Sequence, residues 1–430
     1  MGGSMGIGFQ VVSTPWKRRM WAKPSVPALL REFQRTYLEA LPEPVLRERL
    51  QVWQGEHGAT LAWHPAEEGL SIELRADGSL IASARTNTVG PGYHAFLLEV
   101  LDRIAAQWGL RWRWDEVDDE ACGDETGYAN GRDLAQLQDE MAIWLRQVAQ
   151  LLLQRRDAQD LFVSMPIGPM PRIGGFVGSP MGIWSEDRFE RIAASEAEAL
   201  AAASEFFPWW QPGFGADFWS GLARVGVWCD VNWVGPRDQA ERDVLRRVLD
   251  SDRRATAIDP RRALEPEVRD ELQWLLERGA EIELPQREGP GYKRLPTRHA
   301  LYGGPWSVEV PGHFKEHELN DGNNLQYVGD RRAVYVSSLS IAAADGSLPP
   351  AAELLETANR DGPADLAWAQ DEIVATARWE EDAQARVRHL YAACAVDGRV
   401  LLLTISDELD APREWAEAVA RSVRWASPEQ

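Results

Sequence analysis

Residues 387–406, which read VRHLYAACAVDGRVLLLTIS, predict a β-hairpin. Short apolar runs lie on both sides of Asp397-Gly398, a residue pair typical of a tight turn between strands. We therefore predict two strands, Val387–Val396 and Val400–Ser406, joined at that turn. The C-terminal part of the chain is expected to be built around them.

The elements on both sides of this hairpin are also predicted from the pattern of apolar residues. Short runs with period-2 alternation predict strands, and apolar residues at helical spacing predict helices. The predicted strands are Trp306–Val310, Leu325–Val328, Ala333–Ile341 and Ile373–Trp379, and the predicted helices are Pro350–Arg360 and Pro412–Val423.

The order of three strands, a helix, three strands and a helix resembles the Mog1/PsbP-like α/β/α sandwich, a group that includes small bacterial DcrB-type proteins. The residues that carry the resemblance are WSVEVP at 306–311, YVSS at 335–338 and ARSVRW at 420–425. It covers about 130 of the 430 residues. The resemblance implies a binding module, because members of this group act mostly by binding and some are similar to chaperones that cradle hydrophobic segments of secreted effectors.

At 430 residues the chain is too long for one ordinary core. We expect an α+β, multidomain protein that ends in the sandwich. The expected segments are an N-terminal helical arm at 1–54, an α+β domain at 55–155, a mixed helical, Trp-rich region with a linker at 156–298, and the Mog1/PsbP-like domain at 299–430.

Periodicity predicts the elements of the first three segments. The predicted helices are Val26–Leu41, Glu43–Trp53, Tyr93–Trp108, Leu134–Gln154, Ser185–Phe206, Arg237–Ala257 and Glu265–Arg278. The predicted strands are Ala59–Trp63, Leu70–Leu74, Leu80–Thr86, Leu110–Trp114 and Val225–Trp233, with a turn at Ala76-Asp77-Gly78.

The composition points to a binding protein. The formal net charge is -21, and 20 tryptophans outnumber both the 11 phenylalanines and the 8 tyrosines. An acidic surface attracts basic partners and repels nucleic acid and anionic membranes, so neither of those is expected as a partner. The three cysteines are far apart and no secretory leader precedes the chain, which predicts a cytoplasmic location.

Two segments are candidate contacts with a protein partner. The first is aromatic and interrupted by Pro and Gly, which would be awkward to bury entirely, although packing in the core is the alternative. The second is an acidic run that suits a basic partner, with a solvated loop as the alternative. The residues concerned are Trp209, Trp210, Phe214, Phe218 and Trp219 in the first segment, and Asp118, Asp119 and Glu120 in the second.

An enzymatic alternative rests on His94 and on the glycine-rich loop 168–182. His94 follows Gly90-Pro91-Gly92-Tyr93 at a helix start, where a general base could lie, although local packing is the commoner role. The loop lacks the Gly-Lys-Ser/Thr ending of a phosphate loop, and Gly178-Ser179-Pro180-Met181-Gly182 does not match G-x-S-x-G. A flexible surface loop, or an apolar contact site lined by its methionines, are the other interpretations.

We expect no cofactor and no metal. The nearest approach to a metal motif is His313-x-x-x-His317, which could chelate zinc only if it lay on a helix. It follows Pro311-Gly312 in a strand-rich region, which favours a loop.

The leading hypothesis is an acidic, cytoplasmic protein-binding module. An immunity protein that neutralises a bacterial toxin and a chaperone of a secreted effector are two examples of such a module. The partner is expected to present a basic or a hydrophobic surface. The alternative is an enzyme with an unrecognised active site near His94 and residues 168–182.

Overall fold

The computed structural model describes residues 6–16, 50–114, 123–154, 176–278, 290–301, 305–319, 324–329, 331–343, 345–360 and 362–426, together with 25, 27, 28, 31, 47, 163–165 and 168–170. They form helices and antiparallel sheets in two compact units. The first unit holds the described residues up to 278 with 290 and 291, and the second begins at Tyr292. The chain is an α+β protein of more than one domain, as the sequence predicts.

The first unit contains a six-stranded antiparallel sheet. Its strands are β1 (Gly8–Val12), β2 (Gln51–Gln54), β3 (Gly58–Ala62), β4 (Leu70–Leu74), β5 (Leu80–Arg85) and β6 (Gly123–Asp124). They lie in the order β2-β3-β4-β5-β1-β6. Strand β5 shows the expected period of two, because Leu80, Ala82 and Ala84 are buried and the residues between them are not.

The described residues of the first unit also form α-helices. They are α1 (Pro91–Trp108), α2 (Tyr128–Gly131), α3 (Leu134–Gln154), α4 (Glu186–Ala194), α5 (Glu196–Phe206), α6 (Ala216–Val225), α7 (Gln239–Ile258) and α8 (Pro266–Leu276). Two short hairpins complete the unit, β7 (Val163–Met165) with β8 (Gly168–Met170) and β9 (Phe176–Ser179) with β10 (Gly182–Ser185). Helix α1 buries Leu97, Val100, Leu101 and Ile104, which recur at the helical period.

The second unit contains a three-stranded and a seven-stranded antiparallel sheet. The elements are β11 (Pro296–Ala300), β12 (Trp306–Pro311), β13 (Lys315–Leu319), β14 (Asn324–Val328), β15 (Ala333–Ser340), α9 (Ala351–Ala358), β16 (Leu366–Gln370), β17 (Ile373–Asp382), β18 (Val387–Val396), β19 (Arg399–Glu408), α10 (Glu414–Arg421) and β20 (Arg424–Trp425). The strand orders are β11-β12-β20 and β13-β14-β15-β19-β18-β17-β16.

The two helices of the second unit lie on opposite faces of the seven-stranded sheet. Leu390, Ala392 and Cys394 of β18 belong to the core that includes α10 and β12. The alternate residues Ala393 and Ala395 belong to a separate cluster with α9. Successive side chains of a strand point to opposite faces, so α9 and α10 cover different faces.

Many predicted elements are confirmed within a residue or two. The hairpin at 387–406 pairs Val396 with Arg399 around Asp397-Gly398, as its sequence predicts. Other confirmed elements are the strands beginning at Leu70, Leu80, Trp306, Ala333 and Ile373, and the helices α1, α3, α7, α8, α9 and α10.

The strand predicted at Val225–Trp233 is wrong. Helix α6 ends at Val225 and continues as a π-helix over Gly226–Asp230. Gly226, Val227, Trp228 and Cys229 are all buried, and such a continuously apolar run does not distinguish a strand from a buried helix. The absence of a side chain at Gly226 leaves room for Val248 of α7.

Three further predictions need correction, and one falls mostly outside the described residues. The end of the predicted helix Glu43–Trp53 is strand β2, Leu110–Trp114 forms only the isolated bridge from Trp112 to Ser13, and Ser185–Phe206 is two helices. The break falls at Ser195, whose hydroxyl accepts a hydrogen bond from the Glu198 main-chain N–H at 3.4 Å and so caps α5. The predicted helix Val26–Leu41 lies outside the described residues except at positions 27, 28 and 31.

Candidate functional site

One face of the seven-stranded sheet is the candidate site. The pairing register aligns one residue from each of six strands in a row across this face, which we call the open face. That row is His317, Gln326, Tyr335, Thr404, Tyr391 and Arg378, from β13 to β17 in spatial order. A neighbouring row places Ser406, His389 and Glu380 on the same face.

Large apolar side chains are exposed on this face. Tyr335 is 38% exposed, Tyr391 is 37% exposed and Leu339 is 46% exposed. The other exposed large apolar residues in the described part of this unit are Ile341 and Leu348, both in the connection from β15 to α9. Exposed apolar side chains gathered on one surface are typical of interaction sites.

Helix α9 covers only part of this face. Leu354 and Leu355 pack against Ala393, Ala395 and Val400, which are buried beneath the helix. Further along the same strands the side chains of the open face are half-buried or exposed. The boundary between covered and open surface therefore runs across β18 and β19.

A cavity of about 520 Å³ lies at this boundary, beside the C-terminal end of α9. Its lining includes Asn359, Gly362, Arg378, Glu380, Tyr391 and Thr404. A cavity of this size can accept a side chain or a small ligand. Its lining contains both apolar and polar side chains.

Arg378 is held in place at the rim of this cavity. Its Nη2 donates a hydrogen bond to Glu380 Oε1 at 2.8 Å, and its guanidinium carbon lies 5.9 Å from the centre of the Tyr391 ring. Gly362 has φ 157°, and a Cβ built there would lie 2.9 Å from Arg378 Nη1. Gly362 therefore provides both the backbone conformation and the space that the guanidinium needs.

Polar groups on the open face are also held by hydrogen bonds. His389 Nδ1 lies 2.9 Å from Ser406 Oγ, and Asn359 Nδ2 donates to Thr376 Oγ1 at 3.0 Å. Ser337 Oγ donates to Asn324 Oδ1 on the neighbouring strand. These contacts restrict the side chains that make them.

The aromatic segment predicted to contact a partner is not an exposed patch. Trp209 is 0% exposed, Trp210 9%, Phe218 1% and Trp219 3%. Phe214 is half-buried, with its ring centre 5.0 Å from that of Phe218. The expectation of a partly exposed surface is wrong for the three tryptophans and Phe218, because these side chains are buried in the core of the first unit.

Main-chain hydrogen bonds and close packing bury Trp209. Its N–H donates to the Val89 carbonyl, and its carbonyl accepts from the Gly92 N–H, both at 2.9 Å. Its indole Nε1 donates to the Gly213 carbonyl at 3.0 Å. A Cβ at Gly92 would lie 2.3 Å from Trp209 Cδ1, so a glycine there lets the first turn of α1 approach the indole.

Pairing with arginine accounts for several of the other tryptophans. Guanidinium groups lie over indole rings, where the ring face attracts a cation. The pairs are Arg188 with Trp184, Arg254 with Trp219, Arg278 with Trp274, Arg332 with Trp415, Arg388 and Arg413 with Trp379, Arg399 with Trp425, and Arg421 with Trp368. Trp53 differs from these, because it is 52% exposed on the edge strand β2.

The acidic candidates Asp118, Asp119 and Glu120 lie outside the described residues, which stop at 114 and resume at 123. Their predicted contact with a basic partner stays a prediction.

His94 is buried in the first unit and has no exposed surface. Thr86 Oγ1 lies 2.9 Å from its Nδ1, and Asp124 Oδ1 lies 3.2 Å from its Nε2. Both ring nitrogens thus have partners, and the ring ties β5 and β6 to helix α1. In this arrangement the imidazole has no surface that a substrate could reach, which removes the geometric basis for a catalytic base at this position.

The Asp124 carboxylate pairs with the His94 ring. Burial alone would raise the pKa of Asp124, but the hydrogen bond and charge of His94 outweigh it, together with the Ala129 and Thr126 N–H groups. The pKa falls to about 2 as a result. The pair therefore joins elements of the core by a charge-assisted hydrogen bond.

A second buried acid, Glu67, was not singled out by the sequence. Its Oε1 accepts main-chain hydrogen bonds from Trp63 and from His64, the latter at 2.5 Å. Its Oε2 is buried and has no hydrogen-bond partner among the described residues. Burial raises the pKa of Glu67 from 4.5 to about 8, despite the hydrogen bonds from His64 and Trp63, so the carboxyl group is protonated at neutral pH.

The other two candidate motifs are His313-x-x-x-His317 and the glycine-rich segment. His317 lies on β13 and His313 lies in the turn before it, so the pair is not on a helix, where histidines four residues apart share a face. Among the residues described, no group of three or more His, Cys, Asp and Glu side chains is placed to hold a metal ion. The described residues of the glycine-rich segment 168–182 form β8, β9 and β10 rather than one flexible loop.

Comparison with known proteins gives no family for this chain. No family model matches it, and no curated protein matches it. A crystal structure from Bacteroides thetaiotaomicron is similar over 29% of this chain and 46% of its own chain, with 9% sequence identity and a TM-score of 0.24. So low a similarity carries no argument about fold or function.

No described helix is long and apolar enough to cross a membrane.

Proposed function

We propose that this chain is a protein-binding module and that the open face of the seven-stranded sheet is its binding surface. The observation that carries the proposal is the distribution of exposed apolar side chains. In the described part of the second unit, all five large ones lie on this face or in the connection that leads from β15 to α9. Single exposed apolar residues scattered over a surface are normal, whereas several exposed apolar residues on one surface indicate an interaction site.

The chemistry of the face supports binding rather than reaction. Tyrosines offer broad rings with a polar tip, and they are enriched among the residues that dominate binding energy. The cavity next to Tyr391 provides a place for an anchoring side chain of the partner.

An immunity protein that neutralises a toxin, or a chaperone of a secreted effector, fits this kind of module. Both act by covering a partner's surface and need no reacting group. The likeness to Mog1/PsbP-like domains, which act mostly as binding modules, is part of this proposal. So is a cytoplasmic location, which the wide spacing of the three cysteines in the sequence supports.

Site-specific photo-cross-linking in the producing cells tests the proposal. A benzophenone amino acid at Tyr391 or Tyr335 is expected to give one discrete protein adduct. The control position is Ala418, which is exposed on α10, the helix that covers the opposite face of the sheet. Adducts of equal yield at position 418, or none at 335 and 391, would contradict the proposal.

A further inference from the structure

The layer of side chains on the open face is incomplete. Helix α9 has eight residues and packs on β17, β18 and β19. Tyr335 and Leu339, on the adjacent strand β15, are exposed. Sheets in α+β folds bury such apolar residues against a second layer, which is commonly helical. The surface beside α9 therefore lacks the second layer that commonly covers such a sheet.

The dimensions of this surface suit one helix. A helix with its side chains is about 10 Å wide and covers about two strands spaced 4.8 Å apart. Tyr335 and Leu339 lie four residues apart on β15, which corresponds to about 13 Å, or between two and three helical turns. One face of an amphipathic helix can therefore contact both side chains and reach Tyr391 across β19.

The charge of the surroundings favours a basic helix. Helix α9 carries exposed Glu353 and Glu356 but no basic residue, and the exposed Asp345 lies in the connection that leads to this helix. Arg378, a cation on the open face, is already paired with Glu380. Opposite charge steers association and selects among partners.

We propose that the occupant of the open face is an amphipathic helix of a partner protein, with an apolar face towards Tyr335 and Leu339 and a basic outer surface. This inference rests on the proposed binding function and narrows it to one kind of partner segment. It corresponds to the recognition of helices in apolar grooves.

Synthetic helices provide the test, with the full chain as the receptor. The probe is a fluorescein-labelled peptide of roughly 18 residues, or about five turns, made of Leu and Lys at amphipathic spacing. A peptide of the same composition in scrambled order and a Leu/Glu peptide of the same pattern are compared with it. Fluorescence anisotropy is expected to show that the amphipathic basic peptide binds at least tenfold more tightly than either.

Variants locate the binding on the protein. Leu339→Glu and Tyr335→Ala are each expected to weaken binding of the amphipathic peptide at least tenfold, while Ala418→Glu on the opposite face leaves it unchanged. Leu339 and Tyr335 are exposed, and melting curves check that both variants stay folded. Equal binding of the scrambled peptide, or an equal loss in Ala418→Glu, would show charge attraction alone and overturn the inference.

Two other outcomes also count against the helix. Sedimentation that shows a dimer, dissociated by Leu339→Glu, would mean that a second copy covers the face. Cross-linking from position 391 could give a protein adduct while the chain shows no preference for the amphipathic peptide. The proposed helical partner would then be wrong, and the proposed binding function would stand.

Discussion

Replacing Trp209 by alanine is expected to lower the free energy of unfolding of the first unit by about 3–5 kcal/mol, the loss typical of a large aromatic residue removed from a core. Its ring centre lies 4.4 Å from that of Phe218 and 5.2 Å from that of Phe96. The substitution leaves a cavity among these rings and removes the indole hydrogen bond to Gly213. Urea unfolding followed by circular dichroism measures the loss.

Trp53→Ala is the matched control, because it removes the same side chain from a position that is 52% exposed. Surface substitutions usually change stability by about 0.5 kcal/mol or less. A loss below about 1 kcal/mol in Trp209→Ala would show that this indole is not buried as described, and would restore the aromatic segment as a candidate contact surface.

The second large effect concerns Glu67 and pH. The folded state holds a proton on this carboxyl group up to about pH 8, whereas the unfolded chain releases it near pH 4.5. The stabilisation from Glu67 is therefore complete below about pH 4.5 and is lost as the pH rises towards 8. Between about pH 5 and pH 8 the wild-type free energy of unfolding is expected to fall by about 1.4 kcal/mol per pH unit from this group alone.

Glu67→Gln is expected to abolish this slope, because glutamine is uncharged and its carbonyl can accept the hydrogen bonds from Trp63 and His64. The matched control is Glu68→Gln, which changes the exposed neighbouring residue and should keep the slope. Urea unfolding at several pH values gives the free energies. A slope that persists in Glu67→Gln would assign the pH dependence to other groups.

The hairpin at 387–406 shows what the sequence can predict. Its two apolar runs, together with Asp397-Gly398, define both strands and their register, because the turn sets which residues face each other. The strands β13 and β16 were not predicted. Strand β13 (KEHEL) has four charged or polar residues out of five, so its apolar signal is too weak to separate it from a loop.

The open face could not be assembled from the sequence. Tyr335, Tyr391 and Arg378 lie 13 to 56 residues apart in the chain, and only the pairing of β15 with β19, and of β19 with β18, brings them into one row. One signal was present, since Tyr335 and Leu339 are large apolar residues on the phase of β15 opposite to the buried Val334 and Val336. Exposed apolar residues on that phase mark a surface to be covered.

The burial of the aromatic segment could not be decided from the sequence for a related reason. Seven large aromatic residues within 14 positions suggested a surplus that the core could not absorb. Gly90, Gly92 and Gly221 remove that obstacle, because a Cβ at any of them would collide with Phe207, Trp209 or Pro208. The burial of aromatic residues here depends on glycines that are distant from most of the segment in the sequence.

The affinity of the partner identified by cross-linking tests the central claim most directly. Calorimetric titration compares the wild-type chain, the double variant Tyr335→Ala/Tyr391→Ala and the single variant Ala418→Glu. One hot-spot residue at an interface contributes about 2 kcal/mol or more, which corresponds to roughly 30-fold in affinity. With at least one hot spot among the two tyrosines, the double variant is predicted to bind at least roughly 30-fold more weakly, while Ala418→Glu binds like the wild type. Equal dissociation constants for the wild type and the double variant would contradict the assignment of the open face as the binding surface.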